Sequence, residues 1–323
     1  MKISVAMCTY NGEKYIKEQL DSIFNQTLKV DEIIICDDLS NDKTINIIED
    51  FNQNYPGIIS LFVNEINLKS VKNFEKAISL CTGEIVFLSD QDDKWVESKV
   101  ENYLEFFKNN PNIDVIASNG FCINKDSKII DSYTIWDIPS FLKSNNKDCD
   151  YFKMITHIGN FVTGASMALR KSIQETIFPF PILKNFHHDE WIAILTAHEN
   201  KFEFLDEKYF YYRIHDNQQV GGVCYDKKDH VKTQLIDMYD LVSCKTFVGY
   251  KRKLKKLEFN YRRNRKLQKY CLKNNHKDIF DGNTEKIKSE FEYFSKQFKR
   301  NYPIKSFFLN ISDTITNKRK IKK

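Results

Sequence analysis

Over the first hundred residues, short apolar runs alternate with stretches whose apolar positions recur every three or four residues. Ile3 to Cys8 is mostly apolar, and Ile16, Leu20, Ile23 and Phe24 then fall at i, i+4, i+7 and i+8, the stripe of a helix with one buried face. "EIIIC" (32–36) and "IISLFV" (58–63) predict further strands, followed by helices near 41–54 and 70–81. In "EIVFLSDQDDKW" the run Ile85 to Leu88 predicts a fourth strand, with a helix from about Lys94 to Lys108 behind it. Apolar strands separated by helices specify a mostly parallel α/β sheet covered on both faces.

Beyond residue 110 the pattern loosens into short strands, "DVIASNGFCI" and "FVTGASMALR", a helix from about His188 to His198, and a last strand in "KYFYYRIH" (208–215). After about residue 226 only helical periods remain. Tyr250, Leu254, Leu257 and Tyr261 form one stripe, and Ile287, Phe291, Phe294 and Phe298 another. The change of period places a boundary near 225, giving an α/β domain over 1–225 and a helical region over 226–323.

Charge sharpens that division. The net charge of +5 hides an acidic body and a basic end: from Lys245 onward there are 24 Lys and Arg against 7 Asp and Glu. Such asymmetry points to different partners for the two parts. Basic helices with aromatic stripes suit an anionic membrane surface; the competing reading is a helical bundle with a solvated basic face. No window resembles a membrane span, and the start "MKISVAMCTYNGEKY" is too short for a signal-peptide core. Eight Cys occur without a C-x-x-C pair, so the expectation is reduced thiols in a cytoplasmic protein.

In open α/β sheets, ligands bind beyond the carboxyl ends of the strands. There this sequence has "CTYNG" (8–12), "CDDLSND" (36–42) and "SDQDD" (89–93). Two carboxylates about 4 Å apart repel by roughly 4 kcal/mol at an effective dielectric near 20. Asp90, Asp92 and Asp93 therefore either diverge as turn and cap residues or share a cation. Neither G-x-G-x-x-G nor a P-loop occurs, so dinucleotide and P-loop chemistry lack support.

Taken in order, "ISVAMCTYNGEKYIKEQLDSIFNQT", "DEIIICDDLSNDKT" and "GEIVFLSDQDDKW" resemble the inverting family 2 glycosyltransferases of the GT-A fold. "GASMALRKS", "HHDEW" and "YRIHDNQQVGG" are similar to its acceptor-side segments, nearest to rhamnosyltransferase-like bacterial members. The resemblance covers about residues 1 to 222 and leaves the C-terminal hundred unmatched.

It implies a GT-A, Rossmann-like sheet and a nucleotide-binding set of Thr9, Tyr10, Asn11, Glu13, Asp38 and Asp90. Asp38 would accept from N3–H of uracil or thymine. Asp90 and Asp92 would take the D-x-D positions and, with His215, hold Mn²⁺ or Mg²⁺. Asp189 would be the catalytic base, taking the proton from an acceptor hydroxyl. The implied partners are a UDP- or dTDP-sugar and a lipid-linked or cell-surface glycan, such as a capsule or O-antigen, at the inner face of the membrane.

Simpler roles exist for several of these residues. Asp93 suits a helix N-cap, Asp37 and Asp38 suit Asx turns, and Asp189 suits the first turn of a helix. His187 and His188 could orient a base or be structural, and Trp95 and Trp191 read as packing. The histidines have no Cys or His partners at zinc spacing. Two other functions compete: a sugar-phosphate nucleotidyltransferase, which would need a Gly-rich loop at the first strand, and a nucleic-acid binder using the basic end.

Overall fold

The computed structural model describes residues 1–216, 221–272, 279–316 and 321. The chain forms two compact units, one of 1–136 with 162–224 and the other of 137–161 with 225–323. The second unit thus takes in residues 137–161 as well as the chain beyond 225.

In the first unit the expected alternation is present. It runs β1 (Ile3–Thr9), α1 (Ile16–Phe24), β2 (Glu32–Asp37), α2 (Thr44–Asn54), β3 (Ile59–Val63), α3 (Lys69–Leu80) and β4 (Ile85–Asp90). Then come β5 (Lys94–Trp95), α4 (Lys99–Asn109), β6 (Val115–Ile123) and β7 (Ser132–Thr134). The helix expected from Lys94 begins at Lys99, because Lys94 and Trp95 pair antiparallel with Tyr211 and Phe210.

The main sheet has the order β3-β2-β1-β4-β8-β6-β9-β5, with β8 (Ala168–Arg170) and β9 (Phe202–Arg213) supplied by the later chain. β3, β2, β1 and β4 are mutually parallel, and β8 runs antiparallel to β4 and β6. β1 is buried almost throughout, as a central strand covered on both faces must be, whereas Phe62 and Val63 on edge strand β3 are exposed. Register pairs Thr9 with Asp37 and Cys8 with both Cys36 and Asp90, so the ends of β1, β2 and β4 lie level along one sheet edge.

The expectation of reduced thiols is corrected at one pair. Cys122 on β6 is disulfide-bonded to Cys224 across 102 residues, while the other six cysteines are free. No short spacing in the sequence could announce so distant a partner.

Between these segments and in the second unit lie α5 (Ile138–Ser144), α6 (Tyr151–Lys153), a π-helical turn Met154–Ile158, α7 (Gln174–Ile177) and α8 (His188–His198). β10 (Cys224–Asp226), α9 (Asp229–Tyr239), α10 (Phe247–Cys271), α11 (Asn283–Asn301) and α12 (Pro303–Thr316) complete the chain. The two aromatic stripes meet each other. Tyr250, Leu254, Leu257, Ile287, Phe294 and Phe298 are buried, and the Tyr250 and Phe298 rings lie 5.4 Å apart. These buried residues form a bundle core, while Phe259 on α10 and Tyr293 on α11 are exposed.

A polar network ties the 137–161 segment to these helices. Buried His157 contacts Glu290 Oε2 (2.8 Å) and Asn283 Oδ1 (2.9 Å), and Asn283 donates to Asn264 Oδ1 (2.9 Å).

At the opposite sheet edge Glu32 gathers donors. Oε1 accepts from Ser4 Oγ and the Thr82 N–H, both at 2.5 Å, and Oε2 from Thr82 Oγ1 (2.8 Å) and Lys2 Nζ (3.3 Å). Burial works to raise its pKa, but the bonds from Ser4, Thr82 and Lys2 outweigh burial and hold it at about 2. Its folded value lies below its ordinary 4.5, so its stabilisation is complete above that value and is lost as pH falls toward about 2. Thermal melts of Glu32→Gln should show a loss of about 1–3 kcal/mol at neutral pH and a weaker acid sensitivity than the parent. Identical melting curves across this pH window would remove Glu32 from the account.

Candidate active site

The loops after β1, β2 and β4 converge, as expected, and are tied together by side chains. Asn11 takes a left-handed backbone (φ 50°), its N–H donates to Ser40 Oγ (2.8 Å), and its Oδ1 accepts from the Asn41 N–H (2.9 Å). The Gly12 N–H donates to Thr44 Oγ1 (2.7 Å), and Glu13 Oε2 accepts from the Lys43 N–H (3.0 Å). Asn11 and Glu13 thus hold the β1 loop against the β2 loop, while the Tyr10 ring projects outward, 47% exposed.

Gln91, between the paired aspartates, makes the second tie. Its Oε1 accepts from the Tyr10 N–H (2.8 Å) and its Nε2 donates to the Tyr10 carbonyl (3.0 Å). A Cβ on residue 12 would lie 2.3 Å from Gln91 Oε1, so glycine is required for Gln91 to reach. Sequence reasoning passed over Gln91.

Asp37 and Asp38 have separate tasks. Asp37 accepts from Thr9 Oγ1 (2.7 Å), the Ser40 N–H (2.8 Å) and Ser40 Oγ (2.6 Å), which makes it a turn-former and occupies the Thr9 hydroxyl. Buried Asp38 accepts on Oδ1 from the Leu68 N–H (2.7 Å) and Asn64 Nδ2 (2.9 Å), and on Oδ2 from the Lys69 N–H (2.9 Å). It thereby satisfies free amides at the start of α3, and Oδ2 retains acceptor capacity.

The aspartates after β4 diverge. Asp93 is not the helix cap expected of it, because α4 starts six residues later with Ser98 at the cap. Instead Asp93 is buried and its Oδ1 accepts from the Arg213 N–H (3.0 Å). Asp92 Oδ2 contacts His215 Nε2 at 2.8 Å, and the Asp92 carbonyl accepts from Arg213 Nε (2.8 Å). Arg213 is itself buried and also donates to Ser127 Oγ (2.9 Å) and Glu18 Oε2 (2.6 Å), with its guanidinium 4.5 Å from the Tyr15 ring centre. Behind the loop, buried Lys99 donates to the Ala165 carbonyl (2.6 Å) and lies 4.1 Å from the Trp95 ring centre.

Burial, then the charges of Asp92 and Asp189, push the Asp90 carboxyl up to about 7. Burial pushes Lys99 down to about 7 against the pull of Asp93 and Asp90. Burial is the largest cause of both shifts.

Asp189 stands in the first turn of α8, buried, with Oδ1 accepting from the Glu190 N–H (2.7 Å) and Oδ2 from the Gly164 N–H (3.2 Å). Burial raises it above the usual carboxylate range, opposed by His187 and by the two amides. His188 turns away into the core, stacked on Phe74 at 3.9 Å, and burial pushes it down to about 3, so it is a neutral packing residue. Trp191 is buried as expected, with Nε1 donating to the Ile177 carbonyl (2.8 Å).

Among the described residues, no three His, Cys, Asp or Glu are grouped so as to hold a metal ion alone. The donor chemistry does fit a hard cation that takes the rest of its shell from phosphate and water: Asp92 and His215 are adjacent, and Asp90 is pushed up by burial and the neighbouring carboxylates against the pull of Lys99. Of the motif "YRIHDNQQVGG", residues 217–220 lie outside the described residues.

The profile described as "Glycosyl transferase family 2" matches residues 4–178, more than half of the chain. The chain belongs to glycosyl transferase family 2. The dTDP-rhamnosyl transferase RfbG of Shigella flexneri is 31% identical over 237 residues, covering 67% of this chain and 74% of that protein. An uncharacterised glycosyltransferase of Methanocaldococcus jannaschii is 29% identical over 214 residues, covering 66% and 70%.

Among solved structures, S. aureus TarS 1-349 in complex with UDP-GlcNAc superposes with a TM-score of 0.53 at 17% identity, covering 88% of this chain and 92% of that one. Mannosyltransferase PcManGT from Pyrobaculum calidifontis, in complex with GDP-Man and Mn²⁺, gives 0.50 at 15% identity, covering 98% and 80%. These share the fold, so the family 2 chain is a GT-A glycosyltransferase with a mostly parallel sheet and helices at its C-terminal end. The nucleotidyltransferase and nucleic-acid readings are set aside.

The contact between residue 12 and Gln91 generates a direct test. Gly12→Ala should cost about 1–3 kcal/mol in thermal or denaturant unfolding through overpacking. The cost should shrink in a Gln91→Ala background, where the obstructing amide is gone. Equal costs in both backgrounds would mean that the two residues do not interact.

Proposed function

We propose that this glycosyltransferase moves a sugar, with inversion, from a UDP- or dTDP-linked donor to a hydroxyl of a growing cell-surface polysaccharide or lipid-linked glycan. A rhamnosyl transfer is favoured, since the 31% identical relative carries the name dTDP-rhamnosyl transferase. The observation that carries the reading is the meeting of two carboxylate sets at one sheet edge: the loop of Asp90 and Asp92, and buried Asp189 on a separate helix, close enough to raise the Asp90 carboxyl.

The residues divide the work. Asp38, fixed by the amides of α3, has acceptor capacity on Oδ2 for the N3–H of a pyrimidine. Thr9, Tyr10, Asn11 and Glu13 form the wall along which the nucleotide lies, with the outward ring of Tyr10 available to the base. Asp90, Asp92 and His215 would hold Mn²⁺ or Mg²⁺. That ion, when bound, offsets charge developing on the departing diphosphate. Asp189 accepts the proton from the acceptor oxygen as that oxygen bonds to the anomeric carbon, and the donor oxygen leaves with its electron pair. The Gly164 and Glu190 amides keep the Asp189 carboxylate oriented for that transfer.

This reading makes residues 1–225 the catalytic domain and the basic helices a region that places the enzyme at its acceptor, on the cytoplasmic face of the membrane. No described helix is long and apolar enough to cross a membrane.

Two substitutions separate the roles. Asp92→Asn should weaken calorimetric binding of UDP or dTDP in Mn²⁺ to the level seen in EDTA, and should lose turnover with it. Asp189→Asn should leave nucleotide binding nearly intact while transfer falls by about 10²–10⁴, the usual contribution of a general base. Near-parental transfer by Asp189→Asn would reduce Asp189 to a helix-terminal carboxylate, and Glu190 would be examined next.

The rate against pH gives a further check. The Asp189 carboxyl is raised, so the base is protonated, and the rate lost, as pH falls through a value above the ordinary 3.8 of an aspartate. An acid limb at or below that ordinary value would contradict the assignment.

A further inference from the structure

A helix packed on a protein body turns its apolar residues inward. The described side chains of helix α12 depart from this. Its inward line runs through buried Ser306, half-buried Leu309 and buried Asp313, with half-buried Tyr302 just before the helix. Ile304, Phe307 and Phe308, at the i, i+3, i+4 spacing of one face, are 73, 63 and 65% exposed. The Phe307 and Phe308 rings meet edge to face at 5.7 Å and form one apolar knob. Single exposed apolar residues are ordinary, but a cluster of this kind marks a contact surface.

This end of the sequence is one-sided in charge: from Lys299 to Lys323 it has eight Lys and Arg and a single acid, Asp313. That acid is buried and so does little to offset them at the surface. Lys299 and Arg300 end α11 and Lys305 lies within α12, all exposed. A second copy of the same face would bring like charges together, which disfavours self-pairing. The buried aromatic stripes of α10 and α11 are spent on each other, and the other exposed apolar residues of this unit, Val242, Phe259, Leu272 and Tyr293, lie outside α12.

We propose that the outward face of α12 docks on an anionic lipid surface. Ile304, Phe307 and Phe308 enter the boundary between headgroups and acyl chains, and Lys299, Arg300 and Lys305 lie at phosphate level. Both parts are needed: charge brings the helix to the surface, and the apolar knob holds it there once salt screens the attraction. The proposal rests on the membrane-face reading of the enzyme only for its purpose, since the docking chemistry is independent of the sugar.

The full chain should sediment with vesicles of phosphatidylglycerol and phosphatidylethanolamine at low salt, and far less with vesicles of phosphatidylcholine. The double variant Phe307→Ser, Phe308→Ser should partition at least about tenfold less onto the anionic vesicles, with an unchanged melting temperature because both side chains are exposed. Nucleotide release from the donor, followed without vesicles, should match the parent. A loss there in both proteins would count against the glycosyl-transfer reading and leave the docking result standing. Equal sedimentation of parent and variant, or no sedimentation of the parent, would overturn the proposal. Lipid-free self-association that the variant abolishes would also overturn it, giving the face to a second copy.

Discussion

Negative charge is gathered at one edge of the main sheet, and much of the first unit is arranged around sharing it out. β4 delivers Asp90, Asp92 and Asp93 within four residues, and α8 brings Asp189 to the same region. Each carboxylate is treated differently. Asp93 is given to the Arg213 amide, Asp92 to His215, and Asp189 to two backbone N–H groups. Asp90 keeps the least compensation, with Lys99 as the buried cation near it. Arg213 is the hub, because one buried side chain reaches the Asp92 carbonyl, Ser127, Glu18 and the Tyr15 ring. In the proposed function, a cation held by Asp90, Asp92 and His215 would complete this charge balance.

Much of this geometry was legible in the sequence because it follows from period. Apolar runs of five or six residues between helical stripes can only be covered strands, and parallel strands put their following loops on one edge. Thr9 therefore falls opposite Asp37, next to Asp38, and Asp90 opposite Cys8, without any knowledge of side-chain contacts. The start of α8 at His188 was equally readable, since an acidic pair precedes an unbroken apolar run.

What escaped the sequence were interactions between distant residues. Gln91 looks like a spacer between two aspartates, and its link to Tyr10 appears only when β1 and β4 are side by side. Arg213 carried a signal, being a cation inside a strand otherwise rich in aromatics, and so did Lys99 at one helical turn from Trp95. β5 is two residues long, too short for any period, so the α4 boundary was placed too early and Asp93 was read as its cap. The aromatic stripes of α10 and α11 were periodic as expected, but period alone does not say whether a stripe faces lipid or another helix.

The division of the chain into units has a practical meaning for anyone who cuts it. Residues 137–161 leave the first unit, join the second and return, so the backbone passes between the two at three places. A truncation at 225, natural from the sequence, would strip His157 of Glu290 and Asn283 and expose the bundle-facing side of the π-helical turn. The remnant would report the damage of amputation as well as the absence of the basic helices. Separable modules in this chain are not contiguous stretches of sequence, and dissecting it calls for single side-chain changes.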